Sequence, residues 1–191
     1  MKEGAFTVKI NNSHILERIN VENKLASGLL TPLTVVTSPM GYGKTTAVRS
    51  FLRKRNDIVL WTTMSSAGNT ANGEYFWLLL TREIFNISPE MSRQLDERGF
   101  PGDSAQIFRF INILKKFPRS SGHRVILVID DYWLIENREI NDLILRLTSE
   151  NLAWLNLILI SRRKPRLPIE ELVMKGLCVV IDYDDLTFSW K

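Results

Sequence analysis

A glycine-rich segment near the start of the chain has the residue types of a phosphate-binding loop. Its glycines would let the backbone curl close to a phosphate, while backbone N–H groups and the start of a helix present positive dipole to it. Lys44 is placed to reach the β- and γ-phosphates of a nucleotide, and the Thr45 hydroxyl to ligate Mg²⁺. Ser38 stands where the usual motif has its first glycine, and a small residue is expected to serve there. We predict that ATP or ADP is bound by the whole segment, Ser38-Pro39-Met40-Gly41-Tyr42-Gly43-Lys44-Thr45-Thr46.

Two carboxylates follow the apolar run Val125–Ile129. An acid at the carboxyl end of a buried strand lies at the sheet edge where α/β folds bind their ligands. We expect Asp130 to hold Mg²⁺, usually through water, and Asp131 to polarise the water that attacks the terminal phosphate.

The third candidate is Arg162, which directly follows the apolar run Leu157–Ser161. An arginine at this tip could sense the γ-phosphate and neutralise its charge. Lys44, Asp131 and Arg162 are therefore the predicted catalytic residues. The next residue, Arg163, is expected to be simply solvated.

The elements that must position these residues alternate along the chain. Continuous apolar runs without polar alternation are typical of a parallel sheet covered on both faces, and five such runs predict strands at Leu33–Thr37, Ile58–Thr62, Val125–Ile129, Leu157–Ser161 and Cys178–Ile181. Apolar residues at helical spacing predict helices at Thr45–Arg55, Glu74–Phe85, Ser104–Phe117 and Glu139–Thr148. The order predicts a doubly wound α/β domain. No helical pattern follows the last strand, where the tail Asp184–Lys191 suggests a chain cut from something longer.

Composition and charge exclude several other classes of protein. No apolar run reaches the roughly 20 residues needed to cross a bilayer, and the first residues lack the apolar region of a signal peptide. A single cysteine, Cys178, cannot form an internal disulfide, which favours a cytoplasmic protein. It lies in an apolar strand and is expected to be core. His14 and His123 have no partners at metal-ligand spacing.

The net charge of +4 raises the possibility of nucleic-acid binding. Its best support is two clusters of cations, but their positions favour the solvated face of a helix and a nucleotide-proximal strand end over a DNA-binding patch: Arg49/Arg53/Lys54/Arg55 and Arg162/Arg163/Lys164/Arg166.

The sequence resembles the MalT-like branch of the STAND NTPases, which are large ATP-dependent regulators ending in a LuxR-type DNA-binding domain. The similarity runs through nearly the whole chain. Two features depart from the pattern: Asn12 stands in place of an arginine, and Trp133 in place of a common histidine after the double aspartate. The segments that carry the resemblance are His14–Ile19, Val35–Thr46, Glu74–Trp77, Asp130–Ile135, Ser161–Ile169 and Asp185–Phe188.

This resemblance implies a five-stranded parallel sheet flanked by helices, with the P-loop strand near its centre. Residues 1–30 would form an N-terminal segment and helix leading into the nucleotide site, and residues 31–191 the P-loop NTPase domain. Helical, winged-helix, sensor-repeat and DNA-binding domains would follow in the full regulator. The implied function is a switch: ADP holds an inactive state, ATP with inducer promotes self-association, and slow hydrolysis resets the system. DNA would be contacted only through a domain absent from this chain, and no membrane partner is expected.

Two other functions remain open at this point. A free-standing P-loop enzyme, such as a small-molecule kinase, would need an arginine-rich lid that closes on the acceptor. The segment Lys164–Lys175 is short and contains prolines, which argues against such a lid. A nucleic-acid-binding module rests on net charge alone and would show strongly salt-dependent binding.

Overall fold

The computed structural model describes residues 19–65, 73–115 and 124–187. These residues form one five-stranded sheet in the order β2-β3-β4-β1-β5. Every pair of neighbouring strands is parallel. The strands are β1 Leu33–Thr37, β2 Ile58–Thr63, β3 Val125–Asp130, β4 Leu155–Ser161 and β5 Cys178–Ile181.

Helices connect the strands and cover both faces of the sheet. One short 3₁₀ turn, Tyr132–Leu134, directly follows β3 and its last aspartates. The helices are α1 Ile19–Gly28, α2 Lys44–Arg53, α3 Gly73–Phe85, α4 Pro89–Asp96, α5 Ser104–Lys115, α6 Arg138–Glu150, α7 Ile169–Met174 and α8 Tyr183–Leu186.

The alternation of side chains along each strand builds two separate cores. In β3, Ile126 and Val128 point to the face covered by α1, α2 and α8, where they join Val48 and Phe51. The intervening residues of β3 point to the other face and join the apolar sides of α3 to α7. Both faces of β3 are therefore buried, which is why its sequence is apolar without alternation.

The predicted α/β fold with a five-stranded parallel sheet flanked by helices is confirmed. β1 and β5 have the predicted bounds, and the P-loop strand β1 lies next to the central strand β4. The four predicted helices are present, with ends displaced by at most two residues where both ends are described. Cys178 is buried, as expected, and burial raises the pKa of its thiol to about 12.

Some helices were not predicted. α4 is short and mostly polar, and only Ser92 and Leu95 of it are buried, so it has little apolar periodicity. α8 follows β5 where no helix was expected. The Asp182 side chain starts it by accepting hydrogen bonds from the N–H groups of Asp184 and Asp185, in a capping box.

Several sequence predictions fall outside the described residues. They concern His14, His123, Asn12, Phe188 and the first part of the N-terminal segment. The described part of that segment is α1, which contacts α2, β5 and α8. Within the described ranges, no helix is long and apolar enough to cross a membrane.

The strand order decides which side chains meet. All strands run in one direction, so their carboxyl ends share one edge. β4 lies between β1, which leads into the glycine-rich loop, and β3, which ends in the aspartates. The tip of β4, with Ser161 and Arg162, therefore lies between the glycine-rich loop and the two aspartates.

Candidate functional site

The glycine-rich loop joins β1 to α2 and needs glycine at two positions. Gly41 has φ +91° and Gly43 has φ +70°, both in the left-handed region that L side chains rarely adopt. Gly43 is also the N-cap of α2, so that helix begins at Lys44 with its N–H groups directed towards the loop. The local sequence thus builds a concave backbone that faces the positive end of a helix dipole.

Lys44 is buried beneath this loop, with 8% of its surface exposed. Its ammonium group donates hydrogen bonds to the carbonyl oxygens of Ser38 at 2.7 Å and Pro39 at 2.9 Å. Burial lowers the pKa of Lys44, and the neighbouring charge of Arg162 lowers it further. An ammonium has three N–H donors, so the one beyond these two bonds can serve a phosphate oxygen.

Thr45 and Asp130 bring the two predicted magnesium-binding residues together. The Thr45 hydroxyl donates to Asp130 Oδ1 at 3.2 Å. Asp130 is 6% exposed, and this burial raises the pKa of its carboxyl group. The N–H of Asp131 and the Thr45 hydroxyl oppose that effect because both donate to the carboxylate.

Asp131 has an unusual backbone conformation for a residue other than glycine, with φ +53° and ψ +36°. This single left-handed residue turns the chain from β3 into the 3₁₀ turn. Its Oδ1 accepts a hydrogen bond from the indole Nε1–H of Trp133 at 2.9 Å. The side chain is partly exposed at the same edge as Thr45 and Asp130, which suits a group that must contact water.

Arg162 extends from the tip of β4 towards the same carboxylate. Its Nε lies 3.6 Å from Asp131 Oδ1, and its guanidinium carbon lies 4.9 Å from the centre of the Trp133 ring. β4 itself is joined to the loop, because the Ser38 N–H donates to the Ser161 carbonyl at 3.4 Å. The structure therefore brings Lys44, Thr45, Asp130, Asp131 and Arg162 to one end of the sheet.

The remaining predicted loop residues have different exposures. Ser38 is 4% exposed, so its small side chain is accommodated where the usual motif has a glycine. Tyr42 is half-buried and meets Tyr183 of α8 edge to face, with ring centres 6.3 Å apart. The exposed members of the predicted set are Pro39, Met40, Gly41 and Thr46.

Two aromatic residues of this region were not predicted to take part. Trp133 entered the sequence analysis only as a departure from a family pattern, although an indole N–H two residues after Asp131 is itself a usable signal. Tyr183 precedes two acids in the tail and gave no signal, because its contact with Tyr42 depends on α8.

The two clusters of cations are largely paired with carboxylates. Lys54 pairs with Glu22 and Arg55 with Asp57 in the first cluster. In the second, Arg163 and Arg166 both approach Glu136, and Lys164 pairs with Glu170. These pairs match the solvated-face and strand-end interpretation of the net charge.

Comparison with known proteins identifies relatives. Over 187 residues, or 95% of this chain, the sequence is 27% identical to the HTH-type transcriptional regulator MalT of Klebsiella pneumoniae. MalT of Serratia proteamaculans is 29% identical over 191 residues. The chain is homologous to the MalT transcriptional regulators. It spans 20% of the length of these MalT relatives. No protein-family model matches the sequence.

A solved structure supports the fold of this chain. A Walker-type ATPase of Pyrococcus abyssi superposes with a TM-score of 0.59 at 20% identity, covering 93% of this chain and 57% of the other. At 20% identity this likeness shows the fold alone, which is the P-loop NTPase fold.

Proposed function

We propose that this chain is the ATP/ADP-binding switch domain of an ATP-dependent, LuxR-type transcriptional regulator. The observation that carries the proposal is the hydrogen bond between Thr45 and Asp130, which joins the glycine-rich loop to the acidic end of β3. Homology to MalT extends over nearly all of this chain and supports the regulatory role.

The loop supplies the contacts that would hold a nucleotide's phosphates. Backbone N–H groups between Met40 and Thr46 would face the phosphates, and the start of α2 adds its dipole. Lys44 would contribute a charge-assisted contact to the β- and γ-phosphates from its buried position. Proposed nucleotide contacts therefore comprise all nine residues, Ser38, Pro39, Met40, Gly41, Tyr42, Gly43, Lys44, Thr45 and Thr46.

The residues present also fit Mg²⁺. The cation prefers hard oxygen ligands, keeps several waters, and needs only one or two protein oxygens beside those of the phosphates. The Thr45 hydroxyl and an Asp130 carboxylate oxygen, 3.2 Å apart, form that pair. Thr45 and Asp130 would hold Mg²⁺ where its charge offsets the negative charge that develops on the phosphates.

Hydrolysis in this proposal depends on Asp131 and Arg162. Asp131 would accept a proton from, or orient, the attacking water at the end of β3. Arg162 would neutralise charge on the terminal phosphate, since its Nε lies 3.6 Å from Asp131 and its charge lowers the pKa of Lys44. The ion pair between Arg162 and Asp131 would have to open before hydrolysis, which favours slow turnover.

Slow turnover suits a switch. We infer that ADP marks the resting state, that ATP promotes self-association of the full-length regulator, and that hydrolysis returns it to rest. DNA contact would belong to a different domain of that regulator. Its location in the cytoplasm stays a prediction from the sequence.

The test is to measure ATP turnover and molar mass together, in Mg²⁺ with ATP, with ADP and without nucleotide. A switch domain is expected to turn over far more slowly than the roughly 10 s⁻¹ typical of enzymes. Fast hydrolysis with no dependence of mass on nucleotide would contradict the switch. Phosphate transfer to a panel of small hydroxyl acceptors would instead support the alternative, a free-standing P-loop kinase.

A further inference from the structure

Trp133 contacts both side chains that the proposed function assigns to the terminal phosphate. Its indole N–H donates to Asp131 Oδ1 at 2.9 Å, and the Arg162 guanidinium lies over its ring at 4.9 Å. The Nε of Arg162 is 3.6 Å from the same Asp131 oxygen. One indole, one carboxylate and one guanidinium thus form a closed triangle of contacts.

We propose that Trp133 is a positioning residue that keeps Arg162 beside the phosphate site, where the arginine turns from the Asp131 carboxylate to the γ-phosphate of ATP. ADP has no γ-phosphate and leaves the triangle intact. Trp133 thereby strengthens the binding of ATP relative to that of ADP without touching the nucleotide. This inference rests on the proposed nucleotide-binding function.

The electrostatics of an indole match its two partners. An aromatic ring is electron-poor at its edge and electron-rich on its face. In this triangle the edge N–H of Trp133 meets the anion, and the face meets the cation. Arg162 is 44% exposed, and an arginine at that exposure would otherwise sample many rotamers. The ring face limits that freedom before any nucleotide binds.

The indole is itself held in place. Trp133 belongs to the 3₁₀ turn that starts from the left-handed Asp131, and the Leu134 N–H donates to the Asp131 carbonyl at 3.0 Å. Arg163 contacts Trp133 from the same β4 tip, with its guanidinium carbon 5.5 Å from the ring centre and a hydrogen bond to the Trp133 carbonyl at 3.5 Å.

Arg162 already acts on the phosphate loop from this position. Its charge is the second cause, after burial, of the lowered pKa of Lys44. The loop and β4 are also joined by the hydrogen bond from the Ser38 N–H to the Ser161 carbonyl. In this proposal a side-chain rotation of Arg162 brings the guanidinium group from Asp131 to a phosphate held by Lys44.

The test is calorimetric titration of Mg²⁺-ATP and Mg²⁺-ADP into wild type, Trp133→Leu, Arg162→Ala and the double variant. Leucine keeps apolar volume but has neither ring face nor N–H. We expect Trp133→Leu to weaken ATP binding about fivefold, as for loss of a cation–π contact, and to leave ADP binding unchanged. In the Arg162→Ala background it should cause no further loss. Equal weakening of ATP and ADP, or the same loss in both backgrounds, would overturn the inference.

Two further variants test the ring face directly. Trp133→Phe keeps an aromatic face and should lose less ATP affinity than Trp133→Leu. Arg166→Ala removes an exposed charge of the same segment that pairs with Glu136, and it should keep the wild-type ATP/ADP ratio. A loss in Trp133→Phe as large as in Trp133→Leu, or a similar loss in Arg166→Ala, would contradict the role of the indole face.

Indole N–H signals in ¹⁵N-labelled protein give a readout that needs no nucleotide. The Trp133 signal, assigned by its loss in Trp133→Phe, should move upfield in Asp131→Ala because its acceptor is removed. The Trp61 signal, whose N–H has no hydrogen-bond partner among the described residues, should stay in place. If wild type binds nucleotide but the Trp133 signal does not move in Asp131→Ala, this inference alone would be overturned. Failure of wild type to bind either nucleotide would contradict the proposed function, and with it this inference.

Discussion

The hydroxyl of Thr45 donates a hydrogen bond to the carboxylate of Asp130, a residue 85 positions later in the chain. β1 and β3 are not neighbours in the sheet, since β4 lies between them. The contact therefore depends on the whole strand order and on α2 starting at Lys44. It places a hydroxyl and a carboxylate at one point beside the glycine-rich loop, which is the arrangement that the nucleotide-binding proposal needs.

Replacement of the loop lysine tests the phosphate contact. Lys44→Ala removes the buried ammonium group that holds the Ser38 and Pro39 carbonyls and would contact phosphate. We expect affinity for ATP and ADP to fall by 100-fold or more, about 3 kcal/mol, because a charge-assisted contact and the loop's anchor are both lost. Isothermal calorimetry measures this. Lys175→Ala, an exposed lysine paired with Glu171, is the control and should bind like wild type.

Asp131→Asn separates binding from hydrolysis. The amide keeps the size of the side chain and an oxygen that can accept from Trp133, but it is a poor base. We expect nearly unchanged ATP affinity and about a 100-fold slower single-turnover hydrolysis, as for loss of a general base. Release of labelled phosphate measures the rate. Unaltered hydrolysis would remove Asp131 from the catalytic role, and Asp142→Asn, an exposed acid of α6, controls for lost charge.

Two glycines allow strain in the loop to be separated from loss of function. Gly41 and Gly176 both have positive φ, and an added Cβ would have no neighbour within 4 Å at either position. Alanine should therefore destabilise the fold by about 1–2 kcal/mol at both, through backbone strain alone. Urea unfolding measures that loss. Only Gly41→Ala should also weaken nucleotide binding; equal affinities in the two variants would exclude a role for the loop's shape.

A buried hydrogen bond supports the turn that carries Asp131 and Trp133. The Tyr132 hydroxyl donates to Asn141 Oδ1 at 2.8 Å, and burial raises the pKa of Tyr132. Tyr132→Phe leaves that amide oxygen buried without its donor, and we expect the free energy of unfolding to fall by about 1–3 kcal/mol. Tyr183→Phe, at a half-exposed tyrosine, should change it by less than about 0.5 kcal/mol. A small effect of Tyr132→Phe would show that the bond does not stabilise the turn.

Much of the fold follows from the sequence because its strands are buried on both faces. The apolar runs of β1 and β5 predict both strands with their observed ends. α4 could not be found by apolar periodicity, because the helix has few buried residues. Its signal is local: the Ser88 hydroxyl caps the helix by accepting from the Met91 N–H, and Pro89 follows at the first helical position.

The candidate site, like the fold, could be predicted from the sequence only in part. The convergence of Lys44, Thr45 and Asp130 follows from motifs at the ends of parallel strands, whose carboxyl ends must share an edge. The contacts of Trp133 could not be predicted, because they depend on one left-handed residue, Asp131, and on the turn after it. The side-chain partners of an exposed arginine such as Arg162 are likewise set by three-dimensional packing, and no periodic pattern in the sequence predicts them.

The most direct test of the central claim is whether the chain holds a nucleotide in this loop. Purified protein is denatured, any released nucleotide is identified by chromatography, and the emptied protein is titrated with ATP and ADP in Mg²⁺ by calorimetry, beside Lys44→Ala. The account predicts released ADP or ATP, or binding that depends on Mg²⁺ and is lost in Lys44→Ala. No released nucleotide and no binding heat in wild type, or binding that Lys44→Ala leaves intact, would contradict it.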